Sequence, residues 1–576
     1  MVRNILKSGH KFIIEPQNSI LSAASVIMIM IIASRILGLV RQRTLTLFFP
    51  AGDLSLFFAA FRLPDLIFEV LVYGTFSSAF IPVFSKALKK GDSVAWEVAG
   101  RVVNIGLLIF GMFAIVFSIF APSIYSLLAP GYSVSETKEI ANLARLLFAA
   151  QGFFIVSYVL TGVLESLRRF FLPALAPIFY NLGIIFGTIA LSPHFGLFGP
   201  AIGVVIGAFA HLFIQLPLAL KLGFRFTSII SPNDEVKEIG RLSLPRFADL
   251  SVEQIEKTAE LFLASLISRG SYTYFTLATS LQILPVNLFG TSLAKAALPM
   301  LSQVSDSPER FRKILFTTLN HIIFLVMPLV AVFVVLRIPI IRIAFGSKKF
   351  DWASTVETSV VLTAFSLGIV FQAASAILER GFYALHDTKT PVKISIVTIS
   401  LMVIIDFILV RGFGLPVWAL AASFSVGVMI QSIALFYLLN KKIGQDSVLT
   451  MLKPSFKSGI SSVGAGFVMF FLLKFFDRSV WIKKLSFLGL FGSPSTLPFE
   501  SFVLDTRYTV NLLILSVLVS LVGLLVYVLI CIILRSEEVW YFIKVVKRII
   551  SKPISTSILP AEKESVSPPI EDNSAT

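Results

Sequence analysis

Of the 576 residues, 56% are hydrophobic and only 14% charged, with a mean hydropathy of +0.87, whereas soluble domains carry about 25% charged residues. This excludes a large soluble domain and requires a polytopic, all-α membrane protein. The net charge of +16 lies in short Lys/Arg clusters between apolar runs, a pattern of orienting loops and not of a nucleic-acid surface. One cysteine, Cys531, allows no disulfide framework.

Residues 1–18 lack the compact apolar core and cleavage site of a secretory signal and are expected to lie in the cytoplasm. Apolar runs of about 20 residues then mark about fourteen transmembrane helices, centred near residues 30, 70, 110, 150, 182, 210, 258, 288, 325, 370, 402, 427, 466 and 521. Every second connection is basic, as at Lys86, Lys89 and Lys90, at Arg168 and Arg169, and at Lys441 and Lys442. The positive-inside rule therefore places both termini in the cytoplasm, against exceptions at Arg342, Lys348 and Lys349 and at Lys483 and Lys484.

An internal repeat accompanies this pattern. "AFIPVFS" (79–85) matches "AALPMLS" (296–302), "APG" (129–131) matches "AFG" (344–346), and Leu164-Glu165 before Pro177 matches Leu378-Glu379 before Pro391, at offsets of 214 to 217. An offset of six helices predicts two copies of the same orientation, related by an axis along the membrane normal. The expected divisions are a six-helix lobe over 19–224, a second over 225–442, and two additional helices over 443–550 with an external connection at about 477–508. A disordered cytoplasmic tail is expected over 551–576.

The first helix ends in "SRILGLVRQR", where helical projection puts Ser34, Arg35, Gly38, Arg41 and Gln42 on one side and Arg43 on another. A one-sided cationic stripe suits a cavity, and snorkelling to the interface is the alternative. In the second helix Arg62, Asp65, Glu69, Tyr73 and Ser77 share a face, so Arg62 has acidic neighbours in its own helix. Arg35 and Arg41 have none. Their counter-charge comes from another helix or from a substrate, and a guanidinium fork suits a phosphate. Glu260 and Asp406 are candidates for binding a coupling cation or proton; pairing of Glu256 or Glu260 with Lys257 or Arg246 is the alternative. Five histidines without ligand spacing give no metal site, and no nucleophile elbow or phosphate loop supports an enzyme.

"SRILGLVR" (34–41), "AFRLPDLIFEVLVYGTFSSAFIPVFSKA" (60–87), "APGY" (129–132) and "GFYALHDTKTPVKI" (381–394) resemble the MurJ (MviN) family of lipid II flippases, in the MOP flippase/exporter superfamily. The resemblance implies a two-lobe carrier in the bacterial inner (plasma) membrane that moves an undecaprenyl-diphosphate-linked peptidoglycan precursor by alternating access. It places Arg35 and Arg41 on the family's cavity arginines, where they would meet a diphosphate, and Asp387, Thr388, Lys389, Thr390 and Pro391 in a cytoplasmic motif; the helical projection and spacing add Arg62 and Ser34 to the expected diphosphate-binding cavity and Gly38, Glu69, Tyr73 and Ser77 to the cavity helices. It implies no cofactor beyond a coupling ion, sodium or proton, or the membrane potential, and its partners are the lipid-linked precursor and the bilayer, with no protein partner identified. The chain departs from the family pattern at Phe68, Glu69 and Tyr73, where many members carry two arginines and an acid, and at Thr279 and Ser280, where they carry Asp-Arg. The missing arginine at Ser280 favours the alternative of a flippase for another lipid-linked oligosaccharide or a drug/cation antiporter of the same superfamily; a third reading, a non-transporting cell-wall scaffold, predicts no function for the cavity arginines.

Overall fold

A computed structural model describes residues 20–70, 79–444, 448–477 and 508–551. The expected N-terminal segment, Tyr73 and Ser77, most of the 477–508 connection and nearly all of the tail lie outside the described residues.

The described residues are helical throughout their regular structure. In chain order they form α1 (Ile20–Phe48), α2 (Ala51–Ala60), α3 (Arg62–Phe68), α4 (Ile81–Lys90), α5 (Asp92–Leu128), α6 (Val134–Ser166), α7 (Phe171–Phe195), α8 (Phe198–Lys221) and α9 (Asp234–Ile267). The second half comprises α10 (Ser271–Gln303), α11 (Pro308–Val335), α12 (Arg337–Phe345), α13 (Trp352–Ala384), α14 (Lys389–Gly412) and α15 (Trp418–Ile443), followed by α16 (Val448–Phe476), α17 (Thr509–Ile533) and α18 (Glu537–Ser551). Eleven of these helices are long and apolar enough to cross a membrane. The other three expected spans are α1, the broken segment α2–α4, and α9. Each carries at least one charge that lines an internal cavity, Arg41 on α1, Arg62, Asp65 and Glu69 after α2, and Lys257 and Glu260 on α9.

The repeat recurs in local geometry. Ser133 and Asp351, 218 residues apart, both cap a long helix, accepting hydrogen bonds from the backbone N–H of Glu136 and Ser354. Arg168 and His386, again 218 apart, both have positive φ (57° and 58°) just after those helices end, and Gly196 and Gly414 follow the same spacing. The helix widens to π geometry at Glu69 and Val286, and again at Gly187 and Ile408. Divergent side chains thus preserve one backbone plan twice.

Apolar packing follows the same division. One core cluster runs from Leu45 to Leu261; another joins Val286 through Ile443, with a neighbouring cluster around Phe275, Phe345 and Phe365. The last helices pack on α11 through Phe324, Met469, Leu515 and Tyr527, whose hydroxyl donates to Phe324 O at 2.8 Å. The short α18, which hydropathy does not single out, stacks Phe542 on Phe324 and Tyr541 on His321.

Helices α7 and α8 touch backbone to backbone along a ladder of Gly183, Gly187, Gly203 and Gly207. A Cβ on Gly183 would stand 2.4 Å from Gly207 Cα, and one on Gly203 2.6 Å from Gly183 O. Small residues spaced by four permit this approach between membrane helices. Gly203→Val should therefore force α7 and α8 apart at a cost of about 1–3 kcal/mol or more, read as a lower unfolding temperature in detergent; an unchanged temperature would contradict the contact.

Candidate functional site

Where the two core regions face each other, a cavity of about 360 Å³ opens between α1, α3, α7, α9 and α10. Arg41 and Gln42 enter it from α1, Arg62, Asp65 and Glu69 from α3 and its π-helical continuation, Tyr180 from α7, and Lys257 and Glu260 from α9. Aromatic rings of Phe57, Phe58 and Phe61 close one side. The result is a charged chamber with a low-dielectric wall, in which an anion–guanidinium contact is worth more than in water.

Arg62 is buried, and its guanidinium is held by α9. Nε donates to Thr258 Oγ1 at 3.0 Å, and Nη2 donates to Gln254 O at 2.8 Å and to Gln254 Oε1 at 2.6 Å. The intrahelical neutralisation by Asp65 or Glu69 that the spacing suggested gives way to these neutral acceptors, because the acids have other donors. Glu69 pairs with Lys257 at 3.0 Å and accepts from the Gln254 amide; Asp65 accepts from Gln151 Nε2 at 2.6 Å. Lys257 also pairs with Glu253 at 3.0 Å, so its partners are not Glu256 or Glu260. The side chain of Arg246 lies outside the described residues. Sequence reasoning treated Lys257 only as a neutralising neighbour. Its place four residues after Glu253, inside a membrane-length helix, was the available signal that it faces a polar interior.

The stripe on α1 divides. Arg41 and Gln42 reach the cavity, whereas Arg35 is exposed and outside its lining. Ser34 and Gly38 lie against α7, where Asn181 Nδ2 donates to Ser34 O at 3.4 Å and Asn181 Oδ1 lies beside Gly38. The structure therefore brings Arg41 and Arg62 together in one chamber but not Arg35. Arg43, set apart by helical projection, donates through Nη1 to Ile343 O at 2.8 Å and to Gly346 O at 3.2 Å, fastening α1 to the end of α12. Ser280, on α10, donates to Gln42 Oε1 at 2.9 Å, so a hydroxyl there joins the two halves.

At one end of the cavity the halves are closed on each other. Ser55 Oγ lies 2.9 Å from Thr273 Oγ1, which donates to Ala51 O at 2.7 Å, and Arg269 bridges Asp53 and Glu136 at 3.1 and 2.6 Å. Gly131 approaches the Ser265 backbone so closely that an added Cβ would overlap its carbonyl. Ser55 and Thr273 are repeat equivalents, 218 residues apart, so the pseudo-two-fold axis passes through their contact.

Glu260 lines the cavity, and Asp406 on α14 is buried, with its Oδ1 lacking a hydrogen-bond partner among the described residues, as does Glu256 Oε1. The Asp387-Thr388-Lys389-Thr390-Pro391 motif has a structural arrangement. Asp387 accepts from Thr390 N at 3.0 Å and from Thr390 Oγ1 at 2.8 Å, and pairs with Lys442 at 2.8 Å, tying the start of α14 to the end of α15. The Lys442 ammonium, with the Thr390 bonds, holds the Asp387 carboxyl down to about 2 from its ordinary 3.8. A depressed carboxyl stabilises the fold above its unfolded pKa and loses that contribution as pH falls through the folded one. The stability gap between wild type and Asp387→Asn should thus be present at neutral pH, at about 1 kcal/mol or less for so exposed a pair, and vanish between about pH 4 and 2. A gap that persists at pH 2 in thermal unfolding would refute the assignment.

Comparison with known proteins agrees with this architecture. The family model described as Lipid II flippase MurJ matches residues 44–491. A probable lipid II flippase MurJ of Buchnera aphidicola is 28% identical over 503 residues, covering 83% of this chain and 96% of its own. One from Thermotoga maritima is 28% identical over 468 residues, covering 78% and 95%. Among solved structures, a lipid II flippase MurJ in an inward closed conformation superposes with a TM-score of 0.70 at 23% identity, covering 91% of this chain and 99% of that one. An inward-facing MATE-family multidrug transporter of the MOP superfamily gives 0.61 at 15% identity, covering 71% and 94%, a likeness of fold alone. With a two-lobe helical fold, an inter-lobe cavity and a family model that spans most of its length, this multi-pass membrane protein belongs to the MurJ lipid II flippase family.

Proposed function

We infer that this chain is a lipid II flippase, carrying the undecaprenyl-diphosphate-linked disaccharide-pentapeptide from the inner to the outer leaflet of the bacterial plasma membrane. The observation that carries this reading is the convergence of Arg41 and Arg62 in one chamber between two halves that are joined at one end through Ser55, Thr273 and Arg269. A diphosphate supplies the counter-charge that Arg41 lacks on its own helix, and its planar-fork geometry suits that ligand. Separation of Ser55 from Thr273, with closure of the opposite end, turns the same chamber to the other leaflet. The alternation of basic connections supports cytoplasmic termini. The work is transport and needs no catalytic residue.

Glu260 in the cavity and the buried Asp406 are the groups we assign to coupling with sodium or a proton. Complementation of a strain depleted of its own lipid II flippase tests the function, with failure by a normally inserted chain counting against it. In proteoliposomes carrying the precursor, Glu260→Gln and Asp406→Asn should each remove the dependence of transport on an imposed ion gradient. Unchanged dependence would leave both as packing residues.

A further inference from the structure

Beside this cavity, whose Arg41, Arg62 and Lys257 are matched by Asp65, Glu69 and Glu260, lies a second chamber of about 340 Å³ that shares Asp65, Glu69, Tyr180 and Lys257 with it but has no arginine in its wall. Its wall carries three carboxylates, Asp65, Glu69 and Glu253, against one ammonium, and Lys257 is already spent between Glu69 and Glu253 at 3.0 Å from each. Asp65 accepts one hydrogen bond from the Gln151 amide at 2.6 Å. Gln151 is 6% exposed, and its Oε1, in the same wall, has no hydrogen-bond partner among the described residues. A buried acceptor left unpaired is costly. Here it stands beside a carboxylate, so a ligand that donates several N–H bonds and brings positive charge would satisfy both. Rings complete the wall: Phe154 lies 5.1 Å from Tyr180 and 6.1 Å from Tyr158 between centroids, and aromatic faces attract cations. The remaining titratable group, His211, is turned onto Ser157 Oγ at 2.6 Å.

We propose that this chamber binds a primary ammonium group, carried on a peptide side chain of the same lipid-linked headgroup whose diphosphate meets Arg41 and Arg62. The proposal rests on the flippase reading and deepens it. An ammonium has three donors and no acceptor, matching Asp65, Gln151 Oε1 and the ring faces, whereas a second phosphate or a peptide carboxylate would meet surplus negative charge. The shared wall makes the two chambers contiguous, so one headgroup with an anionic and a cationic end spans them, and its orientation is set by charge.

The test is binding to the full-length protein in nanodiscs of three lipid probes: undecaprenyl diphosphate alone, the disaccharide-pentapeptide precursor with a lysine side chain, and the same precursor with that amine acetylated. Wild type should bind the free-amine precursor about tenfold more tightly than the acetylated one, the scale of hydrogen bonds to a charged group. Gln151→Leu and Asp65→Asn should bring that ratio to about one. Equal affinities in wild type, or a ratio unaltered in both variants, would overturn the proposal, and the wild-type comparison decides even where a variant fails to fold. Asp65-dependent binding of cadaverine alone, with no preference between the two precursors, would assign the chamber to a free amine and overturn it as well. Failure of undecaprenyl diphosphate to bind, or to depend on Arg41, would instead overturn the flippase reading itself.

Discussion

Arg41→Ala should lower precursor translocation about tenfold to a hundredfold without loss of membrane insertion or thermal stability. Arg41 is half-buried in the chamber wall, and charge-assisted bonds to a diphosphate are worth about 1.5–3 kcal/mol each. Lysine keeps the charge but not the fork, so Arg41→Lys should fall between. Arg62→Ala should be as damaging to transport and also destabilising, because Thr258 and the Gln254 carbonyl lose the guanidinium that now satisfies them. Arg35→Ala should cost far less than either, since Arg35 is outside the lining. Arg43 is no neutral control. Removing it takes away two bonds to the end of α12, and the expected loss is in the closed state. Translocation assays in proteoliposomes beside unfolding temperatures separate these effects; equal transport by Arg41→Ala and wild type would sink the diphosphate assignment.

A disulfide across the closed end should arrest transport almost completely. In the double variant Ser55→Cys/Thr273→Cys the two sulfurs would replace hydroxyls that stand 2.9 Å apart, so the bond can form without large backbone movement. The native Cys531 is buried among the last helices and does not compete. If the halves must part here for the chamber to open to the second leaflet, oxidation should abolish translocation and a reductant should restore it. Either single variant, under the same oxidation, should transport normally. Full activity of the oxidised double variant, with the cross-link verified by mass, would show that this end does not open during the cycle. Ser55 and Thr273 are a favourable choice because repeat equivalents at the axis separate symmetrically whichever half moves.

The amino-acid sequence by itself determined the class of this protein. Membrane-length apolar runs leave no other solvent than a bilayer, and a recurring offset near 217 residues was enough to show two copies of one helical plan. It also singled out Arg41, Arg62, Glu69, Glu260 and Asp406, because charge inside such runs is expensive wherever it occurs. Only the tertiary structure decided which of these charges meet. A helical wheel reports the side of one helix and says nothing of what stands opposite, so Arg35 and Arg41 looked equivalent on α1, although only Arg41 stands at the chamber and Arg35 is exposed. The same limit hid the exchange of partners between α3 and α9. Local spacing pairs Arg62 with Asp65 or Glu69, but the distances that govern charge pairing are set by packing across 192 and 188 residues of chain, where Gln254 and Lys257 lie closer. For the same reason Gln151, an uncharged residue in an apolar helix, became visible as a candidate ligand only when its buried oxygen was found beside Asp65.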